Sequence, residues 1–578
     1  MIPPPQPNYP SPDVFDNMTL VGHDETQYHV SAVLAPHNKP AYSLATAKKR
    51  WPARAQEIEE AAQLERDGLT SRCMEEMPLE EITAHDRAAA STLLTIYTEK
   101  MNGHMHDKMK MRACFRGEME VEGTDWINSS SNLPRLSSLR MLLALSPVSK
   151  DAQDWAGDIS MAFTRAPLEP IPANMRRLVQ FPGDVSRRDH RGRRIVYKLT
   201  HSLYGQHAAA SEWQKMLWGY LCQLGLEQSD ADPAIWVRRT NGAVTMTLAI
   251  WTDDLVWRGT KADCIWFRGK MEEKWGDIRA TPLQERTLLG LHVTKSADGF
   301  LGIHSSSYIT KLIEREKLTG DKPKATPLPP TLSITKDDRA EGDDVDPQVT
   351  KQYQVLLGSL SYLACWVRFD LSYPASCLAA VASAPKKSHL KLVRRALAYL
   401  KNAPGLGLQY KKPKNPAHLD TLRVWSDASF AQETKNCSQS GFVAMMNDAP
   451  VHWFSSRQEF PALSSTEAEI MAGSTALRYT IHLRRLLLSL GHPQGAIEFH
   501  LDAENAIRYF QSEKISKRNH HIGTRYERFR HHVTIGDVEI VFCKTENMLA
   551  DIPTKNATEL QFNTVVHGIM TNLGTPSD

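Results

Sequence analysis

Two adjacent aspartates, Asp253 and Asp254, lie between short apolar runs in the stretch LAIWTDDLVW at residues 248–257. The flanking runs have the length and composition of buried strands, which predicts that the acidic pair occupies the tight turn of a hairpin. Ionised carboxylates in such a place repel each other and are costly to desolvate unless a cation or hydrogen-bond donors neutralise them. A divalent metal ion is the simplest partner, because hard cations take carboxylate oxygens. The alternative is an ordinary solvated turn, since so short a motif is not specific.

Other carboxylates stand near the ends of predicted strands. Asp158 precedes the apolar segment 159–163, where a carboxylate is either a metal ligand or a helix N-cap. In the last third of the chain the pattern reads strand, strand, strand, helix, strand, helix, strand, helix. Asp427 lies in its first strand, Asp502 ends a later one, and Asp551 follows the last strand. Carboxylates that converge from separate strands are what a metal-dependent reaction needs.

A basic strand and a glycine are candidates for contact with a phosphate-bearing ligand. Alternation over residues 108–117 predicts Lys110 and Arg112 on one face of a strand and Met109 and Met111 on the other. Cationic side chains on one face suit phosphate contact, although a solvated outer face would look the same. Gly205 permits the close approach of a flat ligand to the backbone, or it marks a simple turn.

The bulk composition limits the classes of protein to consider. A chain of 578 residues is expected to hold several domains. With 41% hydrophobic and 23% charged residues it has the composition of a soluble globular protein, and its net charge of +3 requires any nucleic-acid affinity to come from local patches. Its eight cysteines include no C-x-x-C pair, which argues against a zinc knuckle or a disulfide framework and favours a reducing compartment. No signal peptide or membrane span is expected.

The order of the motifs resembles the reverse transcriptase–ribonuclease H (RNase H) portion of Ty1/copia-type retrotransposon Pol polyproteins, from about residue 46 to residue 555. KMRACFRG resembles the basic motif of the family's fingers, and WTDD resembles its Y-V-D-D. The other stretches that carry the resemblance are DISMAFTRAPLE, SLYGQHAAASEW, YQVLLGSLSYLACWVRFDLSY, SSTEAEIMA and ENMLADIPTK. The resemblance implies an α+β multidomain protein in which a right-hand polymerase with fingers, palm and thumb precedes an RNase H-like α/β domain with a mixed sheet.

The domain boundaries predicted on this basis follow the composition of the chain. Proline-rich and acidic stretches mark the separations. In order, we expect a flexible proline-rich segment at 1–45, fingers and palm at 46–318, a proline-rich and acidic linker at 319–350, thumb or connection helices at 351–411, a linker at 412–420, the RNase H domain at 421–560 and a tail at 561–578.

The resemblance also implies a reaction and its residues: RNA-directed DNA synthesis and hydrolysis of RNA in RNA–DNA hybrids, each with two Mg²⁺ (or Mn²⁺) ions. For the polymerase it implies the ligand set Asp158, Asp253 and Asp254. For the ribonuclease it implies the set Asp427, Glu469, Asp502 and Asp551. A capping box at the helix that starts after Ser464 assigns Glu467 to the cap, so Glu469 is the expected ligand. The implied substrate-binding residues are Lys110, Arg112, Phe163, Gly205 and Trp251, of which Phe163 would crowd a 2′-hydroxyl.

The expected partners are an RNA template, a DNA primer, the RNA–DNA hybrid and deoxynucleoside triphosphates, with integrase or a second copy as further candidates and no membrane. The basic segment 514–532, which includes Tyr526 and Phe529, is expected to grip the hybrid's phosphates; a solvated helix is the alternative. The expected location is a cytoplasmic virus-like particle, the nucleus, or both.

Some positions depart from the family pattern. Trp251 and Thr252 replace Tyr-Val, Ala210 replaces a proline, and Phe369 replaces the proline of R-P-D. None of these changes removes an expected metal ligand. With no Gag, protease or integrase portion, the chain is expected to be a separated piece or a degenerate copy. Two alternatives remain: a decayed relic that only binds nucleic acid, and an integrase-like nuclease, which the D-E-D-D order disfavours because it would carry a D-D-E triad.

Overall fold

The structure, a computed structural model, describes residues 44–102, 105–121, 129–168, 177–183, 185–318, 320, 322–332, 334–430, 438–512 and 523–574. The segment 1–45 predicted to be flexible therefore lies outside the described residues except for its last two, as do residues 514–522 of the basic segment. Helices and strands are mixed along the chain, and the strands of the described part form five sheets. The prediction of an α+β protein is confirmed. No helix among these residues is both long enough and apolar enough to cross a bilayer.

The described helices, apart from short 3-10 turns, are numbered in chain order. They are α1 (Leu44–Arg50), α2 (Ala55–Thr70), α3 (Ala84–Ala89), α4 (Leu136–Ala144), α5 (Ala209–Gln223), α6 (Lys261–Trp275), α7 (Ser306–Arg315), α8 (Pro347–Trp366), α9 (Ser372–Ala379), α10 (Lys387–Tyr399), α11 (Ser465–Ser489), α12 (Glu504–Gln511), α13 (Gly523–Thr534) and α14 (Glu559–Ile569).

The strands are numbered in the same way. They are β1 (Met74–Glu76), β2 (Ser91–Thr92), β3 (Leu94–Asn102), β4 (Met105–Cys114), β5 (Gln153–Asp158), β6 (Leu178–Gln180), β7 (Tyr197–Leu199), β8 (Glu227–Gln228), β9 (Ile235–Thr240), β10 (Ala243–Trp251), β11 (Asp254–Gly259), β12 (Thr281–Pro282), β13 (Thr287–Leu288), β14 (Leu291–Lys295), β15 (Leu301–His304), β16 (Leu406–Gln409), β17 (Arg423–Ser429), β18 (Gln439–Met446), β19 (Ala449–Arg457), β20 (Ile497–Leu501), β21 (Val538–Phe542) and β22 (Thr571–Asn572).

Strands β3 and β4 form an antiparallel two-stranded ribbon next to a small sheet of order β1-β7-β6-β2. The apolar face of β4, with Met109 and Met111, is buried together with residues of α2. Arg112 lies on the opposite, exposed face, and Lys110 on that face is half-buried. The two faces predicted from alternation over residues 108–117 are therefore confirmed.

The six-stranded sheet of order β12-β5-β11-β10-β9-β8 is antiparallel throughout. Leu248 and Trp257 pack with α5 and α6 on one face of this sheet. Ala249 and Val256 pack on the other face, in the core that includes α4. Because the strands are covered on both sides, the runs that flank the acidic pair are continuously apolar rather than alternating. The prediction of two buried strands around the pair is confirmed.

Two segments that the sequence predicted to be a linker and a tail pack against the rest of the protein. Within the predicted linker 319–350, Leu328 and Ile334 are buried in the largest core. The C-terminal stretch is helical through Ile569 and then continues as β22, which pairs with β16. Composition alone concealed these contacts, because a few apolar residues among prolines and acids are enough to anchor a segment.

The C-terminal sheet has the order β19-β18-β17-β20-β21. Its first three strands form an antiparallel meander, whereas β20 and β21 run parallel to β17. The mixed sheet expected for this part is confirmed. Helix α11 packs across it and starts where predicted: Ser464 Oγ accepts a hydrogen bond from Glu467 N at 3.2 Å. The Glu467 carboxylate reaches back to Leu463 N at 2.8 Å, so this glutamate serves the helix start.

A buried arginine joins the two large sheets. Arg140, on α4, donates from Nε to Val451 O at 2.8 Å and from Nη1 to Cys365 O at 2.6 Å. Its guanidinium also lies 4.0 Å from the ring centre of Trp453. One side chain therefore binds β19 and the end of α8 to the helix that supports the six-stranded sheet. The two regions pack directly on each other.

Candidate active sites: two clusters of carboxylates

The hairpin of β10 and β11 places the acidic pair at its tip. Trp251 pairs with Asp254 across the hairpin, which leaves Thr252 and Asp253 as a two-residue loop. Thr252 has a left-handed φ of 53°, which is strained for a β-branched residue. Its carbonyl accepts a hydrogen bond of 2.7 Å from Nε1 of the buried Trp213 on α5. The predicted tight turn is thus observed, and a tryptophan behind it holds its shape.

The third carboxylate comes from the neighbouring strand. Asp158 is the last residue of β5 and lies directly opposite Asp254 in the antiparallel register of β5 and β11. The next residue, Ile159, donates from its N–H to Asp253 O at 2.9 Å, which ties the chain after β5 to the hairpin loop. The structure therefore brings together Asp158, Asp253 and Asp254, called here the first cluster.

The electrostatics of the first cluster are those of like charges held in partly buried positions. Burial, and next the charge of Asp253, raises the pKa of Asp254 to about 6. Burial likewise raises the pKa of Asp253, with Asp158 adding to the effect. Two arginines oppose this repulsion: Arg286 Nη2 donates to Asp254 Oδ1 at 3.0 Å, and Arg279 forms an ion pair with Asp158. Carboxylates that are partly buried and held next to like charges are a donor set that fits a divalent cation.

An aromatic and cationic wall stands beside the first cluster. Phe163 packs edge-to-face on Tyr204 with ring centres 5.4 Å apart. The Arg112 guanidinium lies 5.4 Å from the Tyr204 ring centre, and its charge lowers the pKa of Asp253 against the raising effect of burial. Arg112 and Phe163 thus both contact Tyr204 beside the cluster, and their contact with a substrate stays a prediction. Lys110 lies on the same face of β4 as Arg112, two residues earlier in the strand.

Gly205 makes a close backbone contact that the sequence did not predict. Gly205 has a left-handed φ of 93°, and a Cβ built there would lie 2.2 Å from Phe115 O. The space beside this glycine is filled by the protein's own backbone, since Phe115 N also donates to Tyr204 O at 2.6 Å. The glycine is required by a contact between the end of β4 and the segment before α5. Trp251, the other predicted substrate contact, is half-buried against the largest core.

Three carboxylates form a second cluster on the C-terminal sheet. Oxygen atoms of Asp427 on β17, Glu469 on α11 and Asp502 after β20 all lie within 4.8 Å of one another. Glu469 Oε1 accepts a hydrogen bond from Ala428 N at 3.2 Å. Glu469 Oε2 is buried and accepts no hydrogen bond from the residues that the structure describes. A buried carboxylate oxygen without a hydrogen-bond partner among the described residues, on a side chain grouped with two other carboxylates, is the observation that best fits a bound cation.

Asp551, the fourth predicted ligand, lies beside this group and is fully buried. Its Oδ1 is 2.8 Å from Lys555 Nζ, and its Oδ2 accepts a hydrogen bond of 2.6 Å from Gln561 Nε2. Burial, and next the charge of Asp551, raises the pKa of Asp427. Burial, and next the charge of Asp427, raises the pKa of Glu469 well above its ordinary value. Together with Asp551, the second cluster therefore repeats the crowding of the first.

The expectation that Phe529 belongs to a phosphate-binding surface is wrong, whereas the phosphate contact expected of the rest of the basic segment 514–532 stays a prediction. Phe529 is fully buried and stacks on Phe510 with ring centres 3.8 Å apart. It also packs edge-to-face on Phe499, so it belongs to the core of this region and not to a phosphate-binding surface.

Sequence reasoning missed Trp213, Arg279 and Arg286. The first stands at the end of the motif SLYGQHAAASEW, so a signal was present. The two arginines follow the acidic pair by 25 and 32 residues in an unremarkable loop. Only the pairing of β12 with β5 brings that loop to the first cluster.

The chain is similar in sequence to several known proteins. Residues 83–330 match the family model described as reverse transcriptase (RNA-dependent DNA polymerase). A Pol polyprotein from transposon TNT 1-94 of Nicotiana tabacum is 25% identical over 452 residues, which cover 78% of this chain and 33% of that protein. A putative transposon Ty5-1 protein of Saccharomyces cerevisiae is 27% identical over 321 residues, which cover 55% of this chain and 98% of that one. This chain thus spans about a third of the length of the first of these relatives.

Among solved structures, a foamy viral protease–reverse transcriptase in complex with double-stranded DNA aligns with a TM-score of 0.46 at 13% identity. The alignment covers 94% of this chain and 84% of that one.

Proposed function

We propose that this chain is the reverse transcriptase portion of a Ty1/copia-type Pol polyprotein, and that it copies RNA into DNA and also hydrolyses the RNA strand of the resulting hybrid. Its residues 83–330 match the reverse transcriptase family model, and its relatives include transposon Pol polyproteins. The observation that carries the polymerase assignment is the convergence of Asp158 from β5, Asp254 from β11 and Asp253 from the loop between β10 and β11. The observation that carries the nuclease assignment is the cluster of Asp427, Glu469 and Asp502.

The polymerase residues have separate roles in this proposal. Asp158, Asp253 and Asp254 would hold two Mg²⁺ or Mn²⁺ ions, and the bound ions would neutralise charge on the triphosphate and activate the primer 3′-hydroxyl. Arg112, beside Tyr204, offers positive charge to the incoming triphosphate, and Lys110 extends this charge along the same face of β4.

Phe163 and the hairpin tip complete the proposed nucleotide site. Phe163, packed on Tyr204, closes the space that a 2′-hydroxyl would need and so favours deoxynucleotides. Trp251 and Gly205 shape the site from the hairpin and from the backbone before α5. Gly205 does so by allowing the close contact with Phe115.

The nuclease residues are Asp427, Glu469, Asp502 and Asp551. They would hold a second pair of ions, and Thr554 Oγ1 orients Asp427 by donating to its Oδ2 at 2.6 Å. Thr545 Oγ1 does the same for Asp502 Oδ2 at 3.2 Å. The chain's own contribution is therefore a preorganised ring of oxygens beside which the RNA strand of the hybrid is cut.

The proposed domains follow from these sites. Fingers and palm occupy residues 46–318, thumb or connection helices occupy 351–411, and the RNase H domain occupies 421–560. The proposed substrates are an RNA template, a DNA primer, the hybrid that they form, and deoxynucleoside triphosphates.

Primer extension on an RNA template with Mg²⁺ tests the polymerase. We expect wild type to incorporate deoxynucleotides and the double variant Asp253→Asn, Asp254→Asn to lose this activity while it still cleaves hybrid RNA. Asp230→Asn, at an exposed site, is the matched control and should extend normally. Absence of extension by the wild-type protein would instead support the decayed-relic alternative.

Cleavage of labelled RNA in a hybrid tests the nuclease. Asp427→Asn should abolish cleavage and leave primer extension intact, whereas Glu539→Gln, at an exposed site on β21, should change neither. Cleavage that survives in Asp427→Asn would remove the nuclease assignment without touching the polymerase assignment.

A further inference from the structure

The segment after α6 brings a cation directly to the first cluster. Asp158 N donates to Ile278 O at 2.7 Å, so the backbone fixes the next residue, Arg279, beside this aspartate. Arg279 Nη2 pairs with Asp158 Oδ2 and donates to Ser160 Oγ at 2.7 Å. The guanidinium is therefore paired with an oxygen atom that a divalent ion would use as a ligand.

The backbone of Arg279 is unusual. Its φ of 48° lies in the left-handed region, which residues with a side chain rarely adopt. Arg279 N donates to Asp277 Oδ1 at 2.8 Å, and this bond holds the conformation. Non-glycine residues persist in this region where the surroundings over-determine them, and such positions cluster at functional sites. Glycine would adopt this backbone conformation with less strain, so the presence of arginine indicates that its side chain has a function.

A second arginine gives a useful contrast. Arg286 donates to Asp254 Oδ1 at 3.0 Å, and its side chain is 25% exposed, whereas that of Arg279 is 55% exposed. Pairing of Thr281 with Ala156 holds the backbone between these arginines on the edge of the sheet. Arg286 is thus mostly enclosed by its surroundings, whereas more than half of the Arg279 side chain faces solvent.

We propose that Arg279 competes with the divalent ion for Asp158. In the ion-free chain it neutralises this carboxylate, and an ion binds there only when the guanidinium leaves. The inference rests on the proposed function, because it takes Asp158 as a metal ligand. Its consequence is that the first cluster binds divalent ions more weakly than its carboxylates alone would, so the polymerase site fills only at higher ion concentrations.

Titration of the ion-free, full-length chain with Mn²⁺, followed by the electron paramagnetic resonance signal of free Mn²⁺, tests this without any turnover. All proteins carry Asp427→Asn, which weakens ion binding at the second cluster. Arg279→Gln removes the charge and retains a donor for Ser160, Arg279→Lys retains the charge, and Arg279→Gly suits the left-handed backbone and so guards against misfolding.

We expect Arg279→Gln and Arg279→Gly to bind Mn²⁺ about tenfold more tightly than the parent, as removal of a unit charge next to the ion in a partly exposed site implies. Arg279→Lys should bind like the parent. Arg268→Gln is the matched control: this partly exposed arginine pairs with Glu272 on α6, and its loss should leave the affinity unchanged.

Affinity in Arg279→Gln equal to or weaker than that of the parent would overturn the competition. Failure of the proposed function gives a different result. Adding Asp253→Asn should remove at least one bound Mn²⁺ from every protein of the series, and if it removes none, the first cluster is not a metal site at all.

Discussion

Asp158 and Asp254 face each other as direct cross-strand neighbours in the antiparallel pairing of β5 with β11. Two carboxylates at such positions repel each other and destabilise the sheet, so ordinary strand pairs avoid them. Here the pair is present, and Asp253 in the adjoining loop adds a third carboxylate. Ion pairs of Arg279 with Asp158 and of Arg286 with Asp254 offset the repulsion. Stability is given up at the place where the proposed reaction needs carboxylates.

This repulsion predicts a dependence of stability on pH. Burial and the charge of Asp253 raise the pKa of Asp254 from 3.8 to about 6. Between these values the folded chain binds more protons at this residue than the unfolded chain does. Its contribution to stability is therefore present below about pH 4 and is lost as the pH rises through about 6.

Asp254→Asn should remove that loss. In chelator-containing buffer at pH 7.5 we expect its free energy of unfolding to exceed that of wild type by about 1 kcal/mol, a figure reduced for the partial exposure of the side chain. At pH 4 the two proteins should be equally stable. Urea unfolding at both pH values measures the difference, and a less stable variant at pH 7.5 would contradict the expectation.

The hydrogen bond from Trp213 to Thr252 O predicts a positioning role for this indole. Trp213→Phe should destabilise the protein by about 1 kcal/mol, as the loss of one buried bond implies. It should also lower kcat for primer extension by about tenfold, because the hairpin tip loses its support. Trp218→Phe is the control, since Trp218 Nε1 is buried without a partner among the described residues. Both variants should cleave hybrid RNA normally; equal extension by the two would argue against the role.

The proposed role of Phe163 predicts that its ring selects deoxynucleotides over ribonucleotides. Phe163→Ala should lower the preference for deoxynucleotides over ribonucleotides by about tenfold or more, measured as a ratio of kcat/KM values. Phe163→Tyr keeps the ring and should keep the preference. Unchanged discrimination in Phe163→Ala would mean that the ring serves only to pack on Tyr204.

The two glutamates at the start of α11 should separate stability from chemistry. Glu467 bonds to Leu463 N, so Glu467→Gln should weaken the helix start by about 0.5–1 kcal/mol and leave cleavage unaffected. Glu469 is buried among like charges, so Glu469→Gln should abolish RNA cleavage without loss of stability. Thermal denaturation and hybrid cleavage, measured on both variants, decide the matter; a reversal of the two effects would exchange the assignments.

The contacts of Arg140 predict that the two large sheets unfold together in the wild-type protein. Arg140→Met leaves the carbonyls of Val451 and Cys365 without their donor and should lower the free energy of unfolding by about 3 kcal/mol. The two large sheets should then unfold in separate steps, followed by hydrogen exchange of β11 and β19. Arg508→Met, at an exposed ion pair on α12, should unfold like wild type. A single unchanged transition in Arg140→Met would contradict the coupling.

The sequence by itself determined the local features of this protein. Alternation in β4, the apolar flanks of the hairpin and the cap at Ser464 depend on neighbouring residues, so they could be read before any fold was known. The order of the motifs likewise identified Asp158, Asp253 and Asp427 as candidate ligands.

Only the tertiary structure decided which distant residues meet. Arg279 reaches Asp158 across a separation of 121 residues, and Phe115 fills the space beside Gly205. Phe529 is core because Phe510 and Phe499 close over it, although its segment is basic in sequence. Contacts of this kind depend on strand register and on close packing between elements, and neither is encoded in the spacing of residues along the chain.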